Sequence, residues 1–259
     1  MSRIAIVSAM HEELHALLAQ MPDEKPVVRA GREFWIGHLD GHEVVVVLSR
    51  IGKVAAATTA TLLFAEFGAE RALFTGTAGG LHERARVGDV VVASALLQHD
   101  MDASPLFPRY EVPLYATDRF VADGAMSADL AAAASAVFAD LAAGSTPANG
   151  DGLDLALLGE FGVAAPRVLS GLVISGDRFV ASAAESAALR QSLPDALAVE
   201  MEGAAVAQVC HDLGMPFAVV RTISDRADDS AHVDFSRFVA RVASRYTLAI
   251  VRRYLRDLR

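Results

Sequence analysis

Residues 197–226 constrain the fold most, because acidic side chains lie there inside strongly apolar sequence. Glu200 and Glu202 interrupt an apolar run just before residues 203–213, whose apolar spacing is typical of a helix. An ionised carboxylate in such surroundings costs several kcal/mol unless it is hydrogen-bonded or paired. The two acids therefore need a structural or chemical reason to be there.

The same stretch continues into a second apolar segment that ends at an acid. After a Gly-Met-Pro break, residues 217–223 have the unbroken apolar character of a buried strand, which ends at Ser224 and Asp225. An open α/β sheet places its chemistry at the carboxyl ends of its strands. The alternative is that Glu202 caps the helix and Asp225 caps a turn. Three acids together favour a functional site.

Composition and charge indicate a globular protein with a small-molecule ligand. Of the 259 residues, 53% are apolar, which is enough for a substantial core. The net charge of -9 argues against a nucleic-acid partner, because proteins that bind nucleic acids carry a basic surface. We therefore expect a small ligand and no nucleic acid.

Targeting signals and cysteine usage indicate a cytoplasmic protein. No stretch has the order of a signal peptide, and no apolar run approaches the length of a membrane span, so we expect no membrane partner. The single cysteine, Cys210, cannot form an internal disulfide and has apolar neighbours at helical spacing. Core packing is the favoured interpretation of this residue.

Apolar runs typical of strands alternate along the chain with apolar runs typical of helices, and this alternation predicts an α/β protein. The Asp-Gly pair at residues 40–41 separates two apolar runs and is the strongest short-range signal for a hairpin. The predicted strands are residues 3–7, 34–39, 42–48, 71–75, 88–97, 167–174 and 217–223, and the predicted helices are residues 11–18, 52–67, 127–143, 203–213 and 234–256. We expect a mixed sheet flanked by helices.

One segment with the composition of a linker interrupts this pattern. Residues 144–151 (GSTPANGD) could mark a domain boundary. Strand-like sequence resumes at residue 167 and again ends in a polar turn, at residues 175–177. We therefore predict one domain over residues 1–259, with a surface insertion at about residues 141–166.

Residues 11–15 (HEELH) match a short zinc-binding motif. In that motif two histidines one helical turn apart bind zinc and the glutamate acts as general base. The match lies on the first turns of the first helix, and no later motif supplies a third ligand. Acids are also favoured at a helix start for electrostatic reasons. We interpret the motif as an exposed polar helix start and predict no metal.

Two glycine-containing segments resemble phosphate loops only superficially. Residues 76–80 lack the required spacing, and Gly52-Lys53 is followed by Val54 where a P-loop needs Ser or Thr. A glycine-rich turn after a strand lets backbone N–H groups approach a ligand, but a tight structural turn is an equal interpretation.

Six short motifs occur in a fixed order over nearly the whole chain. They are Ala9-Met10 with Glu13, residues 52–56 (GKVAA), residues 75–80 (TGTAGG), Ser175-Gly176-Asp177 with Phe179, residues 199–202 (VEME), and Arg221 with residues 223–225 (ISD). In this order they resemble the purine nucleoside phosphorylase and nucleosidase superfamily, and most closely the 5′-methylthioadenosine/S-adenosylhomocysteine nucleosidases. The resemblance implies a single α/β domain built as a three-layer sandwich, no cofactor, and a homodimer.

The resemblance also implies a catalytic role for each matched acid. Asp225 would protonate the leaving adenine, with Ser224 as its hydrogen-bonded neighbour. Glu13 would activate the attacking water. Glu202, beside Met201, would hold the 2′ and 3′ hydroxyls of the ribose.

Further contacts follow from the same resemblance. The implied substrate contacts are Thr77, Ala78, Gly79, Phe179, Val180, Ile51 and Phe235. Phe179 would stack on the adenine and the Val180 backbone would meet its polar edge, while Arg221 and Thr77 would help to place the water. Ile51 and Phe235 match the pocket for the 5′-substituent. The partner subunit would add to that pocket with Leu106, Phe107 or Pro113.

The chemistry itself explains why three carboxylates are needed. Cleavage of a C–N glycosidic bond passes through a sugar with oxocarbenium character, so one group must protonate the leaving base and another must activate the nucleophile. A third carboxylate stabilises the developing cation. Desolvation keeps an acid partly protonated, whereas a nearby cation or bulk water keeps another one ionised.

Three alternatives remain open from the sequence alone. A related hydrolase such as futalosine hydrolase is one, because the chain departs from the typical nucleosidase at residues 141–166 and 105–115. A phosphorylase is a weaker one, because Glu13 would repel an attacking phosphate and no basic cluster accompanies it. A binding protein that kept the fold and lost the reaction is the third.

Overall fold

A mixed sheet runs through the protein and carries all of the elements that shape the functional site. The computed structural model describes residues 3–145, 153–227 and 236–258. In these residues the strands are β1 Arg3–Ser8, β2 Lys25–Arg29, β3 Arg32–Leu39, β4 His42–Leu48, β5 Ala69–Thr75, β6 Thr77–Gly80, β7 Val90–Gln98, β8 Arg119–Val121, β9 Val168–Ser175, β10 Ala196–Glu200 and β11 Phe217–Asp225. The helices are α1 His11–Leu18, α2 Lys53–Ala65, α3 Gly124–Ala142, α4 Leu155–Gly159, α5 Ala183–Ser192, α6 Gly203–Leu213 and α7 Ser244–Asp257, the last preceded by a π-helical turn at Val239–Ala243.

The strand order places the last strand of the chain at the centre of the sheet. The order is β2-β3-β4-β1-β5-β11-β6-β10-β9-β7-β8, and β11 also pairs with β7. Five strands therefore pair in a closed ring, namely β11, β6, β10, β9 and β7. From β11 an open sheet extends through β5, β1, β4, β3 and β2. β11 runs parallel to β5 and β6 and antiparallel to β7.

Helices cover both faces of the sheet, because alternate residues of its strands point to opposite sides. Ile4 and Ile6 of β1 pack in one apolar cluster with α1, α3 and α7, whereas Ala5 and Val7 pack in another with α2 and α6. The expected mixed sheet flanked by helices is confirmed. Cys210 of α6 is fully buried in the second cluster, and burial raises the pKa of its thiol to about 12.

Most of the predicted elements are present with small shifts at their ends. The hairpin at Asp40-Gly41 is confirmed, with β3 and β4 antiparallel and both turn residues at positive φ. α1 and α6 have the predicted bounds. α3 begins three residues earlier than predicted, because Asp123 caps it by accepting a hydrogen bond from the Met126 N–H at 2.8 Å.

Several elements differ from the sequence predictions. Part of the glycine-rich bend at residues 76–80 is the strand β6, which pairs with β10 and β11. β11 continues through Ser224 and Asp225, so the acid lies on the strand and not after it. Arg252 of the last helix is largely buried and contacts Asp40 at 2.8 Å, although arginines on such a helix are usually solvated. Strands β2, β8 and β10 and helices α4 and α5 were not predicted.

Part of the predicted surface insertion packs against the core. Leu153, Leu157, Leu158 and Val163 are buried in the cluster that contains α3 and α7. Asp154 caps α4 by accepting a hydrogen bond from the Leu157 N–H. Of the linker-like residues 144–151, residues 146–151 lie outside the described part of the chain, so the surface insertion stays a prediction.

Helix α3 is long and apolar enough to cross a membrane by length and composition, contrary to the expectation that no apolar run approaches this length. Leu130, Ala134 and Val137 on one of its sides are buried in the core, and α3 packs against α7. Core helices of folded domains meet the same two criteria, so α3 is accounted for by its packing.

Candidate active site

One cavity lies at the carboxyl ends of β1, β4, β9, β10 and β11 and gathers most of the predicted site residues. Its volume is about 350 Å³. The predicted residues that line it are Ile51, Thr77, Ala78, Gly79, Phe179, Val180, Met201, Glu202, Ser224 and Asp225. The other lining residues are Ala9, Met10, Arg178, Val199 and Glu200. The lining is mostly apolar, with carboxylates from two different strand ends.

Asp225 is buried at the end of β11, and both of its carboxyl oxygens accept hydrogen bonds. Oδ1 accepts one from the Ala227 N–H at 2.8 Å, and Oδ2 accepts one from the Ser224 hydroxyl at 2.8 Å. The Ala78 carbonyl lies 3.4 Å from the same hydroxyl, which gives the Ser224 proton a second acceptor. Ser224 can therefore donate to Asp225 when it is ionised, or turn to Ala78 and accept from Asp225 when it is protonated.

Glu202 lies between β10 and α6 and reaches across to the start of α2. Its Oε1 accepts a hydrogen bond from the Gly52 N–H at 2.8 Å, although the two residues are 150 positions apart. Gly52 has φ +94°, a conformation that suits glycine. Burial, and then the negative charge of Glu200, raise the pKa of Glu202 to about 7. This carboxylate therefore gains or loses its proton near neutral pH.

Glu200 is bound so completely that it has a structural role. Its Oε2 accepts hydrogen bonds from Arg221 Nη2 at 2.8 Å and Nε at 3.2 Å, and both carboxyl oxygens accept from the Gly203 N–H. The Ser175 hydroxyl donates to Oε1 and itself accepts from the Ala204 N–H. The side chains of Glu200 and Arg221 are only 3% and 1% exposed.

Arg221 lies behind the cavity and not on its surface. Besides Glu200, its guanidinium donates to the Phe74 and Val220 carbonyls and stacks 4.0 Å over the Phe74 ring. The charge of Arg221 lowers the pKa of both Glu13 and Glu202. The contacts of Arg221 are thus those of a positioning residue, and its predicted contact with the water stays a prediction.

Glu13 is completely buried on the first turn of α1. Its Oε2 accepts a hydrogen bond from the Ser8 hydroxyl at 2.7 Å, whereas Oε1 has no hydrogen-bond partner among the described residues. Burial, as the largest effect, raises the pKa of Glu13, while Ser8 and Arg221 oppose this. Glu13 does not line the cavity itself, but Ala9 and Met10, just before α1, do.

Other predicted site residues differ in exposure and position. Phe179 is 43% exposed and Ile51 is 64% exposed, so part of the cavity opens to the surface. Phe235 lies outside the described residues. Leu106, Phe107 and Pro113 do not line the cavity within this chain, and Leu106 is 84% exposed.

The start of α2 is held by acids from distant parts of the chain. Lys53 N–H donates to Asp177 Oδ1 at 2.7 Å, and Lys53 Nζ contacts Asp100 Oδ1 at 2.6 Å. Asp100 in turn accepts from the Asp177 N–H at 2.9 Å. The N–H groups of Gly52 and Lys53, at the start of α2, thereby have carboxylate acceptors. This network fixes Gly52, and through it Glu202.

The HEELH segment does not form a metal site in the described part of the chain. His11, Glu12 and His15 are exposed on α1, while Glu13 points into the core. No group of three or more His, Cys, Asp or Glu that could hold a metal occurs among residues 3–145, 153–227 and 236–258.

Comparison of the sequence with known proteins identifies the family of this chain. The family model of the phosphorylase superfamily matches residues 3–256. The chain belongs to the phosphorylase superfamily. Among curated relatives, the 5′-methylthioadenosine/S-adenosylhomocysteine nucleosidase of Shewanella putrefaciens is 34% identical over 249 residues, which cover 96% of each chain.

Solved structures of the family agree in fold over the whole chain. One is the 5′-methylthioadenosine/S-adenosylhomocysteine nucleosidase of Neisseria meningitidis in complex with methylthio-immucillin-A. It superposes on this chain with a TM-score of 0.84 and 32% sequence identity, and the match covers 100% of both chains. A futalosine hydrolase mutant of Helicobacter pylori has a TM-score of 0.81 and 28% identity, again over 100% of both chains. The nucleoside phosphorylase-like fold expected from the sequence is confirmed.

Two residues of this site were missed as functional residues in the sequence. Glu200 was noted as a buried acid but was given no role, because its partner Arg221 is 21 positions away and only the fold brings them together. Ser8 is the second, and its hydroxyl donates to Glu13. In both cases a polar residue at the end of an apolar strand was the available signal.

Proposed function

We propose that this protein hydrolyses the N-glycosidic bond of 5′-substituted adenosines, namely 5′-methylthioadenosine and S-adenosylhomocysteine, to adenine and the 5′-thioribose product. The observation that carries the proposal is the distribution of three carboxyl groups around one cavity, each with different hydrogen-bond partners. Asp225 and Glu202 line the cavity, and Glu13 lies on the first turn of α1, just after the lining residues Ala9 and Met10. The named relatives and structural neighbours support the same reaction.

Asp225 is the proposed acid that protonates the leaving adenine. Its hydrogen bond with Ser224 can reverse direction, so the pair accommodates either protonation state. Adenine leaves poorly as an anion, and a carboxylic acid at hydrogen-bond distance from the base removes that barrier. Phe179 and Val180, which line the cavity with Asp225, are the proposed contacts of the base.

Glu13 is the proposed base that activates water. It retains one oxygen without a hydrogen-bond partner among the described residues, so this oxygen is available to accept a proton. A pKa raised above that of an ordinary glutamate makes Glu13 a better proton acceptor. The hydrogen bond from Ser8 and the charge of Arg221 oppose this rise, because both favour the ionised carboxylate.

Glu202 is the proposed clamp for the ribose hydroxyls. Its hydrogen bond from Gly52 fixes one oxygen and orients the carboxylate. When ionised, it places negative charge near the sugar as cationic character develops there. The proposed sugar site is completed by further residues that line the same cavity, namely Met201, Thr77, Ala78 and Gly79.

Phosphate is a poor candidate for the nucleophile. Among the described residues that line the cavity, the only basic side chain is Arg178, which is paired with Glu185 at 3.1 Å. A phosphorylase would need several donors aimed at an anion. The proposal is therefore hydrolysis by water, without a metal or an organic cofactor.

A second candidate reaction is hydrolysis of a nucleoside with a different 5′-group. Futalosine hydrolase structures from Helicobacter pylori match the whole chain with TM-scores of 0.81 and 0.80. A common fold does not distinguish between 5′-groups. The choice between them depends on residues at the open end of the cavity.

We further propose a cytoplasmic homodimer. In the loop between β7 and β8, Leu106 is 84% exposed and Leu114 is 91% exposed. Ile51, at the open end of the cavity, is 64% exposed. Large exposed apolar side chains mark interaction surfaces when they occur together. A partner subunit that covers them would bring Leu106, Phe107 or Pro113 to the 5′-end of the substrate.

Adenine release tests the proposal directly. The purified protein is incubated with adenosine, 5′-methylthioadenosine, S-adenosylhomocysteine and futalosine, each with and without phosphate, and the free base is measured. We expect release of adenine from the two thio-nucleosides, independent of phosphate and of a chelator. Binding without release would instead identify a nucleoside sensor, and phosphate dependence would identify a phosphorylase.

A further inference from the structure

A second cleft lies at the same edge of the sheet as the active site and is not used by the proposed reaction. It has a volume of about 590 Å³ and lies between α1 and the turn that joins β2 to β3. Apolar side chains, including Leu14, Leu48 and the half-buried Trp35, form part of its lining. Its charged lining residues suggest a ligand.

Two arginines line this cleft and donate hydrogen bonds only to backbone carbonyls among the described residues. Arg32 donates to the Ala30 carbonyl at 3.0 Å and to the Ala55 carbonyl at 3.3 Å, and Arg50 donates to the Gly31 carbonyl. Neither has a carboxylate partner among the described residues, and Arg32 Nε is buried there without a hydrogen-bond partner. Burial, and then the charge of Arg50, lower the pKa of Arg32. The two guanidinium groups therefore repel each other with no anion between them.

The other charged groups of the cleft restrict the kind of ligand. Glu33 also lines it, is exposed, and has no cation partner among the described residues. His11 and His15 of the HEELH segment line the same cleft, but the positive charges of the two arginines disfavour binding of a metal ion there. Glu33 disfavours a polyanion. A ligand with one carboxylate and one ammonium group matches this set of charges.

The cleft adjoins the open end of the active-site cavity. A shallow groove of about 440 Å³ is lined by both Arg32 and Ile51, of which Arg32 also lines the cleft and Ile51 also lines the cavity. The sheet order places β3, β4 and β1 on one side of β11. The end of the cavity at Ile51 therefore lies towards the cleft, and the end at Asp225 lies away from it.

We propose that this cleft binds the amino-acid end of the 5′-substituent of S-adenosylhomocysteine. Arg32 and Arg50 bind the carboxylate, Glu33 binds the ammonium group, and the apolar lining contacts the intervening methylene groups. This inference rests on the proposed function, which places adenine at Asp225 and the 5′-group at Ile51. It makes the cleft a specificity site that 5′-methylthioadenosine does not occupy.

Equilibrium binding to a protein that does not turn over the substrate tests the assignment. In a Glu13→Gln background, dissociation constants are measured for S-adenosylhomocysteine and 5′-methylthioadenosine after adding Arg32→Gln, Arg50→Gln or Glu33→Gln. We expect each arginine change to raise the dissociation constant of S-adenosylhomocysteine about five- to twentyfold, as for the loss of a charge-assisted hydrogen bond. Binding of 5′-methylthioadenosine should stay within about twofold, as expected for a ligand that makes no contact in the cleft.

Two controls distinguish the cleft from general effects. Arg29→Gln removes a nearby exposed arginine that is paired with Glu66 and does not line the cleft, so it should change neither affinity. A nucleoside with the same tail but no amino group should be insensitive to Glu33→Gln and remain sensitive to Arg32→Gln. The assignment would be overturned if the arginine changes weakened the binding of both nucleosides equally, or left the binding of S-adenosylhomocysteine unchanged. Failure of the wild-type protein to release adenine would overturn the proposed function alone, because the binding comparison does not depend on turnover.

Discussion

Arg221 Nη2 lies 2.8 Å from Glu200 Oε2 in a part of the protein where both side chains are almost fully buried. The pair joins β11, which carries Asp225, to β10, which leads to Glu202. It therefore fixes the two strand ends that bear the proposed acid and the proposed ribose clamp. The geometry of the site thus depends on this buried ion pair.

Glu200→Gln should destabilise the protein strongly, because it leaves the buried guanidinium of Arg221 without a counter-ion. Breaking a buried pair from one side costs about 3–5 kcal/mol. Chemical denaturation measures this loss. Glu43→Gln is the matched control, since the pair of Glu43 with Arg3 is partly exposed and its loss should cost at most about 1 kcal/mol. A cost for Glu200→Gln as small as the control would show that the buried pair is not needed.

Asp225→Asn should remove most activity towards adenine nucleosides while the fold persists. An amide cannot donate the labile proton, and general acid catalysis by one residue contributes about 10² to 10⁴ in rate. Steady-state kcat measures the loss, and a change below about threefold would refute the assignment.

A substrate that needs no leaving-group protonation gives the internal check on Asp225. Hydrolysis of a nitrophenyl riboside should survive Asp225→Asn but not Glu13→Gln, because only the second change affects the water. If both substrates lose the same activity in Asp225→Asn, then Asp225 maintains the site and is not the acid.

Glu13→Gln should bind substrate and hydrolyse it poorly. The residue is buried and its amide could still accept a hydrogen bond from Ser8, but it could not take a proton from water. Glu12→Gln is the control from the same helix turn, since Glu12 is exposed and points about 100° away. We expect kcat to fall for Glu13→Gln and to stay near the wild-type value for Glu12→Gln. The reverse ranking would transfer the role to the glutamate of the HEELH motif.

Glu202 should make the stability of the protein depend on pH between its unfolded and folded pKa values. Its pKa rises from 4.5 for an ordinary glutamate, as in the unfolded chain, to about 7 in the folded protein, so the folded state binds the extra proton in this interval. The associated stability is fully present below pH 4.5 and is lost as the pH rises through about 7. The difference amounts to about 3 kcal/mol.

Thermal unfolding of the wild-type protein and Glu202→Gln from pH 4.5 to pH 8 measures this dependence. The wild-type Tm should fall with pH relative to the variant, because glutamine does not titrate. Parallel curves for the two proteins would mean that Glu202 is ionised over the whole range.

The part of the site that could be predicted from the sequence is the part that local sequence determines. Asp225 is the last residue of the long apolar strand β11, and α1 begins at the predicted residue and carries Glu13 on its first turn. The strand β6 could not be predicted, because its residues are a glycine-rich turn by composition and form a strand only by pairing with β10 and β11. Tertiary pairing overrides local preference there.

Ion pairs and hydrogen bonds across the fold were equally inaccessible to sequence reasoning. The contact of Glu202 with Gly52 spans 150 residues, and that of Arg252 with Asp40 spans 212. Short edge strands such as β8, with three residues, carry too little periodic signal to be recognised. Sequence patterns therefore identified most of the acids of the site but not the groups that hold them.

The central position of β11 affects how the protein is made. β5, β6 and β7 all pair with β11, so the two halves of the sheet have no shared strand until residue 225 has been synthesised. Pairing over such long sequence separations is slow, because chain entropy is lost before contacts compensate. A ribosome-bound chain that ends before β11 would hold an open sheet and an unclosed ring, with exposed strand edges that invite association. The arrival of Asp225 thus both completes the sheet and supplies the proposed acid, so a chain truncated before β11 lacks both at once.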